Sequence, residues 1–585
     1  MSVSRKPSFA QLASKGEASP GRDPERSRRQ LLESGLKPPF GVASARHQSR
    51  SRGTTHSVGA CQIEEKADKP LRVMKFGGTS LADASSIEKA LDIIRVAARE
   101  TSVVVVVSAM SGVTNKLLEA AAQSERLERA SVAAILEGLR KQHDAAVDGL
   151  IHSPAWRKRL HEKVRQFLQE GAHLCRDTGS PLMPQRRDAI LSLGERLSAP
   201  LVAAALVDRG LESDAVEATQ LLITNSVHGA AKPDMDATRR RCKARLRPLL
   251  RRGTVPVVTG FIGATPEGVL TTLGRNSSDY SATIMAAALD ADEVTIWTDV
   301  DGVLSADPRL VPSACSISEI SYREAAALAR FGAKVLHPKT LCPLKSRSIP
   351  LCIRNTFASE RPGTKITAAG DGDRNLKALA AIDEIALITV ASTNVASRPD
   401  IIRRALATTR AVRDDLMLVS RSASPGDIGL VVSSAVAEQT VESLRTEFSQ
   451  ELAHLELNNI TLDPAVALVT AVGQSVYGRS QIISRTFAAL SRVGVNILAI
   501  AQHSRAENLS LIVSKKDVGI ALVAMHQEFQ LGTLKSNALP PRSPAKTTAG
   551  SNQFGLDRRL NYRDRGPRNL EVTFRESVSL MRKLR

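Results

Sequence analysis

The spacing of apolar and polar residues separates a long, regularly patterned centre of the chain from two unpatterned ends. Residues 1–69 and 531–585 show little apolar periodicity. Such segments cannot bury enough surface to offset the entropy of ordering, so we predict that both are disordered tails. From residue 70 to about 372, short apolar runs alternate with stretches whose apolar positions repeat every three or four residues. This alternation predicts an α/β/α sandwich with a mostly parallel sheet.

Short apolar runs predict the strands of this region. The run Val103–Val107 is apolar on both faces, as expected for a central strand of a parallel sheet covered by helices. A helix precedes it, because apolar residues from Ile87 to Ile94 recur at helical spacing. The predicted strands are Leu71–Phe76, Val103–Val107, Val255–Thr259, Glu293–Thr298 and Ile349–Ile353.

Beyond residue 372 the pattern changes to two consecutive units of mixed strands and helices. The first occupies 373–460, with a strand near Ile388, and the second occupies 461–530. The second unit has the clearer α+β pattern. Its predicted elements are a strand at Ala467–Val472, a helix at about Arg479–Arg492, and strands at Asn496–Gln502 and Leu509–Val513.

The net charge of +20 raises the question of a nucleic-acid partner, so its distribution matters. The N-terminal tail has 13 basic and 7 acidic residues, and the C-terminal tail has 12 and 4. Only +6 remains on residues 70–530, an ordinary value for a globular enzyme. We therefore expect no specific nucleic-acid partner, although a binder that acts through its basic tails stays an alternative.

The cysteines and the apolar runs indicate whether the chain is a disulfide-rich, zinc-binding, membrane or secreted protein. The six cysteines lack CxxC pairs and histidine partners at metal-ligand spacing, so the sequence predicts neither a disulfide framework nor a zinc site. The longest apolar run is far shorter than the roughly 20 residues that a membrane-spanning helix needs, and we expect no membrane partner. The N-terminal tail lacks the apolar core of a secretory signal. A cytoplasmic location is predicted, with organelle targeting by this tail left open.

The first candidate functional cluster is residues 75–80, at the end of the first predicted strand. Gly77 and Gly78 allow backbone N–H groups to approach phosphate oxygens, and Lys75 adds a positive charge. The alternative is an ordinary turn with an edge lysine. No GxxxxGK[ST] sequence occurs, so this is not a Walker-A loop.

The second cluster, residues 271–280, opens an alanine-rich helix predicted from Ser281 to Leu289. Arg275 beside a helix N-terminus favours a carboxylate or phosphate, because the guanidinium fork and the unsatisfied N–H groups attract the same anion. The alternative is that Ser278 or Asp279 merely caps the helix.

Two further clusters lie closer to the C-terminal units. Residues 297–303 and 307–309 follow a predicted strand, at the edge where open α/β sheets bind ligands. Their Asp-Gly and Asp-Pro pairs are also ordinary turn formers. Residues 331–338 form a turn with one lysine, Lys334, and a lysine at such a place is commonly only solvated.

Taken together, in this order and at these intervals, the four clusters resemble the aspartokinase family of the amino-acid kinase fold. The resemblance covers about residues 70–530, and its two C-terminal units look like paired ACT domains. It is closest to the kinase portion of bifunctional aspartokinase/homoserine dehydrogenase. No GxGxxG follows the second unit, so we expect the dehydrogenase domain to be absent.

The resemblance implies transfer of the γ-phosphoryl group of ATP, with Mg²⁺, to the β-carboxylate of L-aspartate. The product would be 4-phospho-L-aspartate, at the first step of lysine, threonine and methionine biosynthesis. It also implies a homodimer or higher oligomer formed through the ACT-like units, and a threonine or lysine effector. The implied residues are Lys75, Arg275 and Asp279 for catalysis, Ser108, Thr114, Glu195 and Ser278 for substrate, Gly77, Gly78, Thr298, Asp299, Arg309 and Lys334 for ATP, and Asn496 and Gln502 for the effector.

Some positions depart from the family pattern. Ser277 stands where glycine is usual, and a Cβ there would cost on the order of 1 kcal/mol if the backbone needs a positive φ. The turn at 391–396 lacks the glycines expected of an ACT unit, which leaves ligand binding there open. Two alternatives stay within the fold: a catalytically weak amino-acid sensor, and a kinase for another small acid.

Overall fold

A computed structural model describes residues 69–176, 181–274, 276–332, 336–372, 376–391, 399–409, 416–421, 427–454, 457–474, 480–502 and 508–533. The predictions of disorder for the two tails concern residues that lie almost entirely outside these ranges. Arg275, Lys334 and the turn at 392–396 also lie outside them.

The strands of the first domain are β1 Leu71–Phe76, β2 Ser102–Val107, β3 Ser213–Val216, β4 Val255–Thr259, β5 Ile262–Ala264, β6 Leu270–Thr272, β7 Glu293–Thr298, β8 Glu319–Ser321, β9 Leu351–Asn355 and β10 Thr364–Thr367. Its helices are α1 Ala84–Glu100, α2 Val113–Glu125, α3 Arg129–Leu150, α4 Pro154–Leu174, α5 Pro184–Asp208, α6 Met235–Arg251, α7 Ser278–Leu289, α8 Tyr322–Arg330 and α9 Pro338–Lys345.

An eight-stranded sheet forms the centre of this domain, in the order β3-β4-β2-β1-β7-β9-β10-β8. Neighbouring strands run parallel except at β9 and β10. Every valine of Val103–Val107 is buried, as predicted for a central strand. Because β1, β2, β4 and β7 are parallel neighbours, their carboxyl ends lie at one edge of the sheet.

The last predicted strand of this domain starts two residues later than expected. The Ile349 N–H donates to the Leu344 carbonyl at the end of α9, and Pro350 has no N–H to give to a ladder. The regular pairing therefore begins at Leu351. The helix predicted from Ser281 begins earlier, at Ser278.

Helix α5 is long and apolar enough to cross a membrane, and in the described part of the chain it is the helix that meets this test. However, 78% of its apolar window is buried within the protein. A core helix passes the same test, so the finding is weak evidence for a membrane span. Gly194 of α5 allows a close approach to the end of β2, because a Cβ there would lie 2.6 Å from the Ala109 Cβ.

The C-terminal region contains the strands β11 Ala378–Ile382, β12 Ile385–Ala391, β13 Leu416–Arg421, β14 Ile428–Ser433, β15 Asn459–Asp463, β16 Val466–Val472, β17 Ile497–Gln502 and β18 Asn508–Ser514. Its helices are α10 Pro399–Thr408, α11 Ala437–Glu447, α12 Ser449–Ala453, α13 Ser480–Arg492 and α14 Val518–Glu528.

These elements form two antiparallel four-stranded sheets, β13-β14-β12-β15 and β11-β16-β18-β17. The predicted linear division at residue 460 is therefore wrong in detail. Strand β11 precedes the first unit in sequence but pairs with β16 of the second, with Ala378 opposite Val472. Strand β15, which spans the predicted boundary, pairs with β12 of the first unit. The first unit is thus inserted into the second, because strand pairing and not chain order decides membership.

Candidate active site

The turns that follow β1, β2 and β4 lie side by side at the carboxyl edge of the sheet. Each continues the backbone hydrogen bonding of its strand: Gly77 N–H donates to the Trp297 carbonyl at 3.2 Å, and Ser108 N–H donates to the Phe76 carbonyl at 3.1 Å. Gly260 N–H donates to the Val107 carbonyl at 2.8 Å. The sheet thereby brings clusters that are distant in sequence to one place.

Two glycines at this edge, Gly78 and Gly260, lie so close to neighbouring atoms that a side chain would not fit without a shift. A Cβ on Gly78 would lie 3.2 Å from the Ala109 carbonyl oxygen, although Gly78 has an ordinary helical φ of −59°. A Cβ on Gly260 would lie 2.9 Å from both Ser278 Oγ and the Val107 oxygen. A larger residue at either position would therefore push apart the turns that follow β1, β2 and β4.

Lys75 and Asp279 form the central ion pair of the site. The Lys75 Nζ lies 2.6 Å from Asp279 Oδ1, and both side chains are largely buried. Asp279 lies in the first turn of α7, so the helix N-terminus also stabilises its negative charge. This ion pair fixes the position of the Lys75 ammonium group at the N-terminus of α7.

Glu195 approaches the same site from α5. Its carboxyl group is buried, and its Oε2 has no hydrogen-bond partner among the described residues. Burial raises the pKa of Glu195 to about 8, although a hydrogen bond from the Ala109 backbone and the Lys75 ammonium both oppose this. A buried acid without a full set of partners is suited to receive a cationic group of a ligand.

The other predicted substrate residues lie around this pair. Ser278 is buried at the first residue of α7, next to Gly260. Ser108 is half-buried directly after β2. Thr114 is half-buried in the first turn of α2, after Gly112. The N-termini of α2 and α7 both favour negative charge on a bound ligand.

Asp188 was missed at the sequence level. It is buried in α5 and accepts hydrogen bonds from Thr272 Oγ1 at 2.6 Å and from the Thr272 N–H at 3.0 Å. His228 Nδ1 lies 2.8 Å from the same carboxylate. Asp188 thus fixes the start of the segment that leads to Arg275, whose own placement lies outside the described residues. Nothing in its local sequence marks Asp188, because its partners come from distant segments.

The condition under which Ser277 would be costly, a positive φ, is not met. Ser277 has a φ of −95°, which any residue adopts, and its Oγ donates to the Gly274 carbonyl at 2.5 Å. The positive φ values of this segment fall on Gly274 and Asn276. Both residue types tolerate that conformation. The missing glycine at 277 therefore costs nothing.

The predicted nucleotide residues lie at the end of β7 and beyond it. Thr298 Oγ1 donates to Asp299 Oδ1 at 3.0 Å, and Asp299 is exposed. Gly302 has a φ of 111°, and its neighbour Val303 donates to Thr364 Oγ1 at 2.8 Å, which fixes this loop. Arg309 is exposed and forms an ion pair with Asp307 at 2.6 Å. Lys334 lies outside the described residues.

Two predicted residues do not form one effector site. Asn496 precedes β17 and is exposed, whereas Gln502 ends the strand and its side chain is outside the described residues. A separation of six residues in extended backbone is roughly 20 Å. Asn496 and Gln502 of one chain therefore cannot contact the same amino acid, because they lie at opposite ends of a strand.

Comparison with known proteins gives two family matches. Residues 70–355 match the amino acid kinase family, and residues 469–529 match the ACT domain. The chain is 31% identical over 473 residues to bifunctional aspartokinase/homoserine dehydrogenase 1, chloroplastic, of Arabidopsis thaliana, a match that covers 78% of this chain and 51% of the relative. It is 29% identical over 527 residues to aspartokinase 1, chloroplastic, of the same plant, covering 87% and 91%.

A solved structure is also similar. The structure of E. coli aspartokinase III in complex with aspartate and ADP is 28% identical and superposes with a TM-score of 0.67, over 79% of this chain and 100% of that chain. By contrast, the chain spans about half the length of the bifunctional relatives that it matches.

Proposed function

Because residues 70–355 belong to the amino acid kinase family and the chain is close to the aspartokinases, we propose that it is an aspartate kinase. It transfers the γ-phosphoryl group of ATP to the β-carboxylate of L-aspartate and forms 4-phospho-L-aspartate. The observation that carries the proposal is the Lys75–Asp279 pair, held beside the incompletely partnered Glu195 at the carboxyl edge of the sheet.

The reaction needs no general base. The side-chain carboxylate of aspartate has a pKa near 3.9 and is already ionised at neutral pH. Catalysis then consists of positioning two anions and neutralising the charge that develops between them. The Lys75 ammonium neutralises negative charge on the phosphoryl group during its transfer, and Asp279 fixes that ammonium in place.

The remaining substrate groups have matching partners. Glu195 receives the α-ammonium group, and Arg275 receives the α-carboxylate through its planar fork. Ser108, Thr114 and Ser278 complete the aspartate site with hydroxyl groups.

ATP lies over the turn at Gly77 and Gly78 and extends toward Thr298, Asp299 and Arg309, with Lys334 as a further contact. Mg²⁺ would be held mainly by the phosphates, and the exposed carboxylate of Asp299 would supply a protein ligand. When bound, Mg²⁺ supplies charge neutralisation at the phosphates.

An acyl-phosphate assay tests this function. Purified protein is incubated with MgATP, aspartate and hydroxylamine, which converts an acyl phosphate to a hydroxamate. We expect hydroxamate that depends on both ATP and aspartate. Reactions with glutamate or without an amino acid are the controls. A wild-type protein that forms no aspartate-dependent hydroxamate would contradict the proposal, and equal product from another small acid would redirect it.

Glu195→Gln provides a prediction for substrate binding. Because its pKa is raised from 4.5 to about 8, Glu195 is mostly protonated at pH 7 without substrate, and it must ionise to pair with the α-ammonium group. Aspartate binding at pH 7 should therefore release a proton, and release should diminish above pH 8. Calorimetry in buffers of different ionisation enthalpy measures this release, which Glu195→Gln should abolish while it raises the KM for aspartate.

The same residue affects stability in a defined direction. The folded protein binds the Glu195 proton more tightly than the unfolded chain does, so the contribution of this residue to stability is complete below pH 4.5 and is lost as the pH rises through about 8. Glu195→Gln should flatten the loss of stability over that range. An unchanged pH profile of thermal unfolding, together with unchanged proton release, would contradict the assignment.

Assembly, regulation and location complete the proposal. A homodimer or higher oligomer forms through the ACT units, and threonine or lysine is the effector class. Relatives from Arabidopsis are named as chloroplastic. This supports the organelle location that the sequence left open, beside the cytoplasmic one.

A further inference from the structure

The loop that follows the candidate nucleotide residues is packed into the second ACT unit. Ala306 and Val311 of this loop are buried in the same apolar cluster as Leu379 of β11 and Leu522 and Met525 of α14. The Leu379 N–H also donates to the Ser305 carbonyl at 2.8 Å. A segment of the kinase domain thus completes the core of the regulatory unit.

His526 of α14 connects the two arms of this loop. Its Nε2 lies 3.0 Å from Ser305 Oγ, and its Nδ1 lies 3.3 Å from Ser313 Oγ. His526 is 1% exposed. Ser305 Oγ also accepts the Cys315 N–H at 3.0 Å, so the hydroxyl group that meets the ring is itself fixed. Both ring nitrogens therefore contact the loop.

The turn that carries Arg309 lies between these anchors. The Leu310 and Val311 N–H groups donate to the Asp307 carbonyl at 3.0 and 2.9 Å, which forms a tight turn directly before the buried Val311. Arg309 is paired with Asp307 within the turn. A displacement of Ser305 or Ser313 would therefore move Asp307 and Arg309 as a unit.

We propose that His526 is a positioning residue that holds the 305–313 loop in the geometry that binds the nucleotide. The inference rests on the proposed function, because it takes Arg309 to be an ATP contact. The same contacts couple the two domains. A change in the second ACT unit that shifts α14 would also shift the 305–313 loop, because His526 and the apolar cluster of Ala306 and Val311 join the two.

The ring acts as a neutral hydrogen-bonding group. Burial lowers the pKa of His526, so the uncharged form is retained at neutral pH. Glutamine is then the conservative replacement, since its amide offers a donor NH₂ group and an acceptor oxygen. Leucine fills a similar volume without either.

The test compares MgATP affinity, measured by calorimetric titration without aspartate, in the wild type, His526→Gln and His526→Leu. We expect His526→Leu to weaken MgATP binding about tenfold, as the loss of two hydrogen bonds to a buried loop implies, and His526→Gln to stay within about threefold of the wild type. The matched control is His454→Leu, at an exposed histidine of the first ACT unit. Its affinity should not change.

Steady-state kinetics separate positioning from general damage. The KM for ATP should rise in His526→Leu, whereas the KM for aspartate should stay within about twofold. Should His526→Leu fail to fold, Ser313→Ala removes one of the two hydrogen bonds and should raise the KM for ATP about threefold. Unchanged MgATP affinity in these variants, or equal changes in both KM values, would overturn the inference. A wild type that binds MgATP without phosphorylating aspartate would overturn only the proposed function, and one that binds no MgATP would overturn both.

Discussion

Lys75→Met is expected to lower kcat for aspartate phosphorylation by about a thousandfold, because a preorganised cation at the transferring phosphoryl group typically contributes that much. Lys75 is held 2.6 Å from Asp279 in a largely buried setting, so no water or mobile side chain can replace its charge at the same position. Methionine keeps most of the volume and removes the charge. Hydroxamate formation under saturating ATP and aspartate measures the loss.

The matched control is Lys158→Met, at an exposed lysine of α4, which should leave kcat unchanged. Asp279→Asn is the informative companion. If Asp279 acts by holding the lysine, the double variant should be little worse than Lys75→Met alone. A loss of less than tenfold in folded Lys75→Met would show that Lys75 is not the group that neutralises the phosphoryl charge.

Lys377→Met is expected to destabilise the protein by about 3–5 kcal/mol, the cost of leaving a buried charge without its partner. The Lys377 side chain is buried where the kinase domain meets the second ACT unit. Its Nζ lies 3.3 Å from Glu324 Oε2, and it also pairs with Asp371. Glu324 is fully buried, so the substitution leaves its carboxylate in an apolar setting. Urea unfolding followed by fluorescence and circular dichroism measures the effect.

A second substitution that removes the unpaired charge of Glu324 provides the control for this prediction. The double variant Lys377→Met, Glu324→Gln should recover part of the lost stability, since glutamine can still accept the Ser321 N–H that Glu324 now accepts at 2.7 Å. Lys516→Met, at an exposed lysine of the same ACT unit, should change stability little. Equal destabilisation in the single and double variants would mean that packing around Lys377, and not its charge, stabilises this junction.

Much of the fold could be predicted because local pattern encodes burial. The run Val103–Val107 is apolar on both faces, and only a central strand of a covered sheet satisfies that pattern. The boundaries that were missed have local causes as well. Pro350 delayed the start of β9, and the first turn of α7 includes Ser278 and Asp279, which had been considered as caps.

The candidate site was predictable only in part. The sequence could predict that the turns after β1, β2, β4 and β7 lie together, because parallel strands bring the turns that follow them to one edge of the sheet. Asp188 and the His526 contacts were not found, since each depends on segments that approach from elsewhere in the chain. The possible cost of Ser277 was raised by comparison with the family pattern, whereas the backbone places positive φ at Gly274 and Asn276.

The sequence by itself determined the α/β layering, the two α+β units and the clusters that carry chemistry, because these follow from residue type and short-range periodicity. The tertiary structure alone decided three things: that Asp279 holds Lys75, that burial raises the pKa of Glu195 to about 8, and that β11 belongs to the second ACT unit. The physical reason is the same in each case. Ion pairing, desolvation and strand pairing depend on which distant segments meet, and short-range periodicity carries no record of those partners.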